Sequence, residues 1–309
     1  MKILITGAHG FVGSNLVKYL ALANEIYGLD IVAPEKEGVV KTYSWDDLDA
    51  GRVPAVDAIV HLAGKAHDTK NQAAAEVYFK VNTGLTQKMF DYFLAHSDIR
   101  KFVFFSTAKA AADKVDGVLT EEVVPAPVGP YGESKIKAEE YILEHMPPDK
   151  QVYILRPCMI HGPGNKGNLN LLYNVVRKGI PWPLGAFENR RTFTSVENIC
   201  FAVNGVLTKD VPSGIYNMGD DEALSTNELI EEICKSLGKK ARIWRLPKKL
   251  MNGVACVGGC LHLPLDQERL RKLTENYISS NAKIKKALGV ERMPVGAREG
   301  LKVTLDSFK

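Results

Sequence analysis

Tyr131 and Lys135 stand four residues apart in the stretch PYGESK, with only small or polar residues between them. On a helix that spacing puts both side chains on one face, one turn apart. A phenol titrates near 10 and is inert at neutral pH, and an ammonium beside it lowers that value by roughly 1–3 units. A tyrosine so placed can take a proton from a hydroxyl and return it, which is general acid–base chemistry. Two further hydroxyls, Ser106 and Thr107, end the apolar run KFVFF. They lie near Tyr131 if that run is a strand neighbouring the first strand of the chain.

Taken alone, Tyr-x-x-x-Lys is common by chance. A second group of residues gives it a partner. Gly7, Gly10 and Gly13, with Phe11 and Val12 among them, form a glycine turn between the apolar run KILIT and an amphipathic stretch. Glycines there let the backbone turn tightly and approach a pyrophosphate, which rests on the positive N-terminus of the following helix. Asp30 closes the next strand, EIYGLD. Its carboxylate can accept from the adenosine ribose hydroxyls and would repel a 2′-phosphate, and no arginine follows it in LDIVAPE. NAD is therefore expected over NADP. The positive charge of an oxidised nicotinamide would lower the Tyr131 phenol further, and Lys135 could also hold the nicotinamide ribose. His9, inside the glycine turn, reads as a loop residue.

The elements that must position these residues alternate regularly. KILIT, EIYGLD, DAIVHLAG, KFVFFST and QVYILRP read as strands, the first of them continuously apolar as in a buried parallel sheet. Helical stretches lie between them, AAAEVYFKVNTGLTQKMFDYFLAH and GESKIKAEEYILEHM being the longest. This β–α alternation implies a doubly wound α/β sheet. After Arg156 the rhythm changes to HGPGNKGN, prolines, short strands and helices, so a smaller lobe over the strand ends is expected. FTSVENICFAVNGVL reads as a capped helix that returns to the sheet. A helix should start at Ser225 or Thr226, with Glu228 completing a capping box and Gly238 as its stop. The boundaries expected are a dinucleotide-binding domain over 1–160, with a returning segment near 190–218, and a mainly substrate-binding lobe over 161–309.

Composition narrows the partners. The chain has 309 residues, 45% hydrophobic and 25% charged, with a net charge of +4, ordinary values for a globular enzyme. That mild charge suits an anionic small molecule and falls short of a nucleic-acid footprint. The most basic stretch, KSLGKKARIWRLPKKL, reads as a solvated loop and strand edge. Five cysteines lack the paired spacing of a zinc site, and Cys256, Cys260 and His262 in MNGVACVGGCLHLPL read as part of a packed helix with buried thiols rather than as metal ligands. Free thiols and a strand directly after Met1 lead to the expectation of a cytoplasmic protein without a leader. The uncharged run from Met251 to Leu265 is too short to span a bilayer, so no membrane partner is expected.

These motifs together, TGAHGFVG, Asp30, DAIVHLAG, Asn82 in KVNTG, FSTAK, YGESK, LRPCMIHGPG and RRTFTSVENI, resemble the extended short-chain dehydrogenase/reductase family over nearly the full length. The similarity is to its nucleotide-sugar epimerases, dehydratases and reductases. The resemblance implies a Rossmann-type sheet with a smaller C-terminal substrate-binding lobe, bound NAD, and a homodimer formed through the helices around Ala74–His96 and Gly132–Met146. It implies a catalytic set of Thr107, Tyr131 and Lys135. It implies cofactor contacts from Gly7, Gly10, Phe11, Val12, Gly13, Asp30, Asp47, Leu48, Leu62, Ala63, Gly64, Asn82, Tyr131 and Lys135. Asn165, Asn168 and Arg191 fall where the family contacts the nucleotide diphosphate, with Lys109 also on the substrate side. A guanidinium such as Arg191 matches phosphate oxygens bidentately.

One departure discriminates. The family's 4,6-dehydratases carry an Asp-Glu pair directly after the catalytic hydroxyl, whereas this chain has Ala108 and Lys109. The stretch from Leu155 to Ile199 most resembles bacterial surface-polysaccharide enzymes that act as UDP-sugar 4-epimerases or 4-keto reductases. The expectation is thus a 4-epimerase, with a UDP-4-keto-6-deoxy-hexosamine 4-reductase as the alternative. A non-catalytic dinucleotide sensor on the same fold would have no need of the intact proton relay.

Overall fold

The computed structural model describes residues 1–65, 74–165, 167–260 and 266–309. Seven parallel strands form its centre: β1 (Lys2–Thr6), β2 (Glu25–Leu29), β3 (Lys41–Tyr43), β4 (Ala58–His61), β5 (Lys101–Phe105), β6 (Gln151–Pro157) and β7 (Gly214–Met218). Their order is β7-β6-β5-β4-β1-β2-β3. The central strands are apolar on both faces because both faces are covered. Ile3, Ile5, Val60, Val103 and Leu155 pack on α1 (Phe11–Leu20) and on the helix Val196–Thr208. Leu4, Ile59, Phe102, Phe104 and Ile154 face the opposite way, towards α2 (Leu85–Ala95) and α3 (Pro130–Glu144).

The strand order reverses between β1 and β4, the place where doubly wound sheets open a crevice beyond the C-terminal strand ends. The glycine turn follows β1, and Leu62–Gly64 follows β4. The strand KFVFF is not a neighbour of β1, as the placement of Ser106 and Thr107 had supposed. β4 lies between them.

The long helix expected over AAAEVYFKVNTGLTQKMFDYFLAH, of which α2 is the C-terminal part, is interrupted. Ala75–Tyr78 is α-helical, Phe79–Gly84 is π-helical, and only then does α2 begin. The wide turn holds Asn82, and π-turns of this kind collect at functional sites.

Beyond β6, the short strands Met159–His161 and Phe193–Ser195 pair in parallel, with α4 (Asn168–Arg177) between them. Next, α5 (Val196–Thr208) lies against the sheet and leads into β7, which adds to the β6 edge. Of the returning segment expected near 190–218, only 196–218 packs on or joins the central sheet, Phe193–Ser195 pairing instead with Met159–His161. A separate apolar cluster, built on Leu169, Tyr173, Trp182, Leu229, Ile233 and Leu301, is the core of the remaining C-terminal lobe. In it, α6 (Thr226–Ser236) has the expected capping box. Ser225 caps the Glu228 amide, the Glu228 carboxylate accepts from the Ser225 amide at 2.8 Å, and Gly238 follows in the left-handed region at φ +65.

The packed-helix reading of MNGVACVGGC needs correction at Cys256. The helix exists, as α7 (Lys248–Cys260), but Cys256 is exposed. The inward face of α7 is carried by Met251 and Ala255, and Cys256 falls one residue past it. The Cys260 side chain and His262 lie outside the described residues. Among the described residues no group of His, Cys, Asp and Glu is placed to hold a metal. Nor is any helix there long and apolar enough to cross a membrane.

Candidate active site

At the cofactor end, Gly7 turns the chain out of β1 at φ +70, its amide donating to the Leu29 carbonyl at 2.9 Å. A Cβ on Gly13 would sit 2.2 Å from the Gly7 carbonyl oxygen, so the first turn of α1 closes against the loop only because Gly13 has none. Helix α1 starts at Phe11 and Val12 with no side-chain cap on Gly10 and no acidic residue in its first turn. Its positive end is left for an anion. Asp30 accepts from the His9 amide at 3.0 Å and from the Ile31 amide at 2.7 Å, which fixes its carboxylate beside the glycine turn. His9 is itself pinned to Thr42, consistent with a loop role.

The end of β4 is held by a chain of buried hydrogen bonds. Thr86 donates to the Asn82 carbonyl at 2.6 Å and so receives the His61 Nε2 proton at 3.0 Å. Nδ1 of His61 then accepts from Thr6 at 2.7 Å. The Thr6 hydroxyl in turn accepts from the amides of Leu62 and Ala63. Burial pushes the His61 imidazole down to about 3, so it is neutral, and the nearby Lys135 charge adds to that effect. Asn82 is fully buried. Its side chain accepts from the Lys65 amide at 2.7 Å and donates to Ser134 at 3.0 Å, tying the strand end to α3.

Thr107, Tyr131 and Lys135 are brought together here. Gly129 enters α3 at φ +85, Pro130 occupies the first turn, and Tyr131 follows. A hydrogen bond joins its phenol to the Thr107 side chain. The phenol is raised, not lowered. Burial outweighs the Thr107 hydrogen bond, and the Tyr78 ring, edge-on at 6.2 Å between centroids, adds to the rise. Burial also lowers Lys135 to about 8, against the opposing pull of Glu139. The Lys135 ammonium donates to the Phe105 carbonyl at 2.8 Å. It also lies beside Gly64, where a Cβ would meet Nζ at 3.3 Å and the Asn82 side chain at 2.9 Å. Gly13 and Gly64 thus leave out side chains that would crowd the loop and Lys135, room that suits the close approach of a dinucleotide.

Ser106 serves a different end. It donates to Glu139, which is fully buried and pairs with Arg156 through Nε at 3.0 Å and Nη2 at 2.5 Å.

Of the residues expected to meet the substrate, Arg191 donates to the Lys272 carbonyl, and its backbone pairs with Leu224. Lys109 is ion-paired with Asp113, which Arg271 also approaches at 3.8 Å, and its ammonium lies 5.8 Å from the Tyr277 ring. Asn165 is buried and accepts from the Gly167 amide at 2.8 Å, while Asn168 is exposed at the start of α4. Asp47 and Leu48 sit on the helix Trp45–Asp49. The Asp47 carboxylate is spent on Ser44 and Arg52 and drops to about 2, with the Ser44 amide as the main cause.

Sequence reasoning passed over Tyr78, Asp113, Glu139, Arg156 and Tyr277. Two of these had a readable signal, since Asp113 stands four residues after Lys109 and Glu139 four after Lys135. Tyr78 and Tyr277 reach the site by tertiary packing alone.

Comparison with known proteins agrees with this geometry. Residues 3–219 match the family model for the NAD dependent epimerase/dehydratase family. The chain is 30% identical over 263 residues to the UDP-glucose 4-epimerase of Vibrio cholerae, covering 80% of this chain and 78% of that protein. It is 28% identical over 297 residues to the N-acetyl-α-D-glucosaminyl-diphospho-ditrans,octacis-undecaprenol 4-epimerase of Escherichia coli O157:H7, covering 92% and 85%. The crystal structure of UDP-glucuronic acid 4-epimerase from Bacillus cereus in complex with NAD superposes with a TM-score of 0.76 at 21% identity, over 100% of this chain and 98% of that one. That last likeness is one of fold. The match across most of the chain, on a sheet whose crevice carries the tyrosine, lysine and glycine turn, makes this protein a member of the NAD-dependent epimerase/dehydratase family, the extended short-chain dehydrogenases that act on nucleotide sugars.

Proposed function

We propose that the chain is a 4-epimerase of a UDP-linked sugar that supplies surface-polysaccharide synthesis. The observation that carries this reading is the hydrogen-bonded Thr107–Tyr131 pair over Lys135, followed by Ala108 and an ion-paired Lys109. Gly7, Gly10, Gly13, Asp30, Gly64 and Lys135 would hold the dinucleotide. Bound NAD supplies the acceptor and donor of the C4 hydride. Tyr131 takes the proton of the C4 hydroxyl, and Thr107 hydrogen-bonds the C4 oxygen as it becomes a ketone. The 4-keto sugar then turns, presenting its other face, and Tyr131 returns the proton to the C4 oxygen. Arg191 is assigned to the diphosphate, with Asn165 and Asn168 beside it.

Dehydration would need one group to remove the C5 proton and another to protonate the departing C6 hydroxyl. Ala108 has no proton chemistry, and the Lys109 side chain is engaged in its ion pair with Asp113. The same reading carries a homodimer through α2 and α3, and a cytoplasmic location.

The test is the product spectrum of the purified protein with UDP-glucose, UDP-N-acetylglucosamine and their C4 epimers, and with the 4-keto-6-deoxy sugars plus NADH. Interconversion of C4 epimers without added NADH is expected. Stoichiometric consumption of NADH on 4-keto substrates alone would replace the epimerase with the reductase. Sustained formation of 4-keto-6-deoxy sugar would overturn both.

A further inference from the structure

Helix α7 turns Met251 and Ala255 inward, at 4% and 0% exposure, onto the core of the C-terminal lobe. A second row of apolar side chains on the same helix, Leu250, Val254 and Val257, points to solvent at 53%, 44% and 56% exposure. Their i, i+4, i+7 spacing makes one continuous stripe. Just before the helix, the segment 242–244 pairs edge to edge with Trp182, which leaves the Trp244 side chain 55% exposed.

The surroundings of this stripe are cationic. Lys239, Lys240, Arg242, Arg245, Lys248 and Lys249 all precede or open α7, and no aspartate or glutamate occurs from Lys239 to Leu265. Among the described residues none of these six is ion-paired. Two of them have local partners, Lys239 on the Arg177 carbonyl and Lys248 over the Phe187 ring. The nearest acids in sequence after the helix, Asp266 and Glu268, are already paired with Arg269 and Lys272.

We propose that α7 and the Trp244 edge form a docking face for an anionic phospholipid surface, so that the protein works as a peripheral membrane enzyme. An amphipathic helix with Leu and Val on one side, lysines at its start and a tryptophan at its border has the chemistry of an interfacial helix. Six cations and no anion fit a negatively charged headgroup layer. A nucleic acid would match the charge and leave the apolar stripe in water. A second copy of the chain would bury the stripe and set the cations of both copies against each other. This face departs from the solvated loop read from KSLGKKARIWRLPKKL, because the apolar stripe belongs to a helix whose opposite face alone is used by the fold.

The test is co-sedimentation of the full chain with phosphatidylcholine vesicles and with vesicles that also contain phosphatidylglycerol. Binding to the second and not the first is expected, with Trp244 fluorescence shifting to the blue and quenched by brominated lipid. Lys248→Gln with Lys249→Gln should weaken binding by roughly thirtyfold, each cation being worth about a factor of five near such a surface. Leu250→Ser, Val254→Ser and Val257→Ser together should abolish it while turnover of the nucleotide sugar is retained. If the triple variant fails to fold, bromolipid quenching of the unaltered protein that is lost in Trp244→Phe decides. Three results would overturn the proposal: no sedimentation with either vesicle, sedimentation undiminished in the triple variant, or a concentration-dependent rise in mass or retention by a DNA duplex without any vesicle binding.

Discussion

Lys135 and Glu139 stand one turn apart on α3 and do not pair with each other. The lysine head turns to the Phe105 carbonyl, and the glutamate is taken by Arg156 and Ser106. The helix thus presents a cation to the site while its counter-charge is neutralised underneath. Glu139 still raises Lys135 from a distance, against a burial effect that takes it to about 8.

Removal of the phenolic proton route should stop the chemistry and spare binding. Tyr131→Phe is expected to lower kcat by about 10²–10⁴-fold, and Thr107→Ala on the order of a hundredfold. NAD affinity, measured by titration calorimetry, should be near that of the parent in both. Lys135→Ala should weaken NAD binding as well. Retention of more than about a tenth of the activity in Tyr131→Phe would remove it from the acid–base role.

Asp30 is expected to set cofactor choice. Asp30→Ala should weaken NAD binding and narrow its margin over NADP, because both the ribose acceptor and the repulsive charge are lost. A parent enzyme that binds NADP as tightly as NAD would contradict the role given to this carboxylate.

Arg191 and Arg190 are adjacent and should behave differently. Arg191→Ala is expected to cost nucleotide-sugar binding about 2–4 kcal/mol with NAD binding unchanged. Arg190 is exposed and paired with Glu228 on α6, so Arg190→Ala should leave substrate affinity intact. Equal affinities in the Arg191 variant and the parent would return Arg191 to a structural part.

The pair beneath the site is expected to be a major stability element once one side is removed. Glu139→Gln leaves the Arg156 charge buried without its partner, a loss of about 3–5 kcal/mol, readable in urea unfolding. A change well under about 1 kcal/mol would show that water reaches the pair. In the same variant Lys135 should titrate lower than in the parent, since the charge that raised it is gone.

His61 should make the fold acid-sensitive. Its folded value, about 3, lies below the ordinary value of 6.5, so the folded state binds fewer protons than the unfolded chain. Its contribution is complete above pH 6.5 and is lost as pH falls from there towards 3, at up to about 1.4 kcal/mol per pH unit. His61→Gln should flatten the stability profile over that window. An unchanged slope would assign the acid sensitivity to other groups.

Much of this arrangement was legible in the chain because it is local. A buried parallel strand reads as an unbroken apolar run, and KILIT became β1 without ambiguity. The capping box of α6 needed only Ser225 and Glu228 at the right spacing. The π-turn at Asn82 was not legible, because its residues FKVNTG carry no signal against an ordinary helix and the wide turn is held by Lys65 and Ser134 from elsewhere. The direction of the Tyr131 shift was misjudged for a related reason. Spacing places the lysine one turn away, but only packing shows that its ammonium is engaged by Phe105 and that the phenol is enclosed. Cys256 went wrong because an uncharged helix looks buried all round when only one of its faces is.

One edge strand of the sheet, β7, comes from residues 214–218, while its neighbour β6 ends at residue 157. A chain emerging from the ribosome therefore presents β6 as a bare edge, and the sheet face meant for α5 uncovered, until some sixty residues more have been made. Unpaired strand edges and exposed apolar faces are where nascent chains associate wrongly. The crevice can be completed only after this late closure. A fragment ending near residue 160 would carry the tyrosine, the lysine and the glycine turn, and still should be recovered as aggregate rather than as a working half.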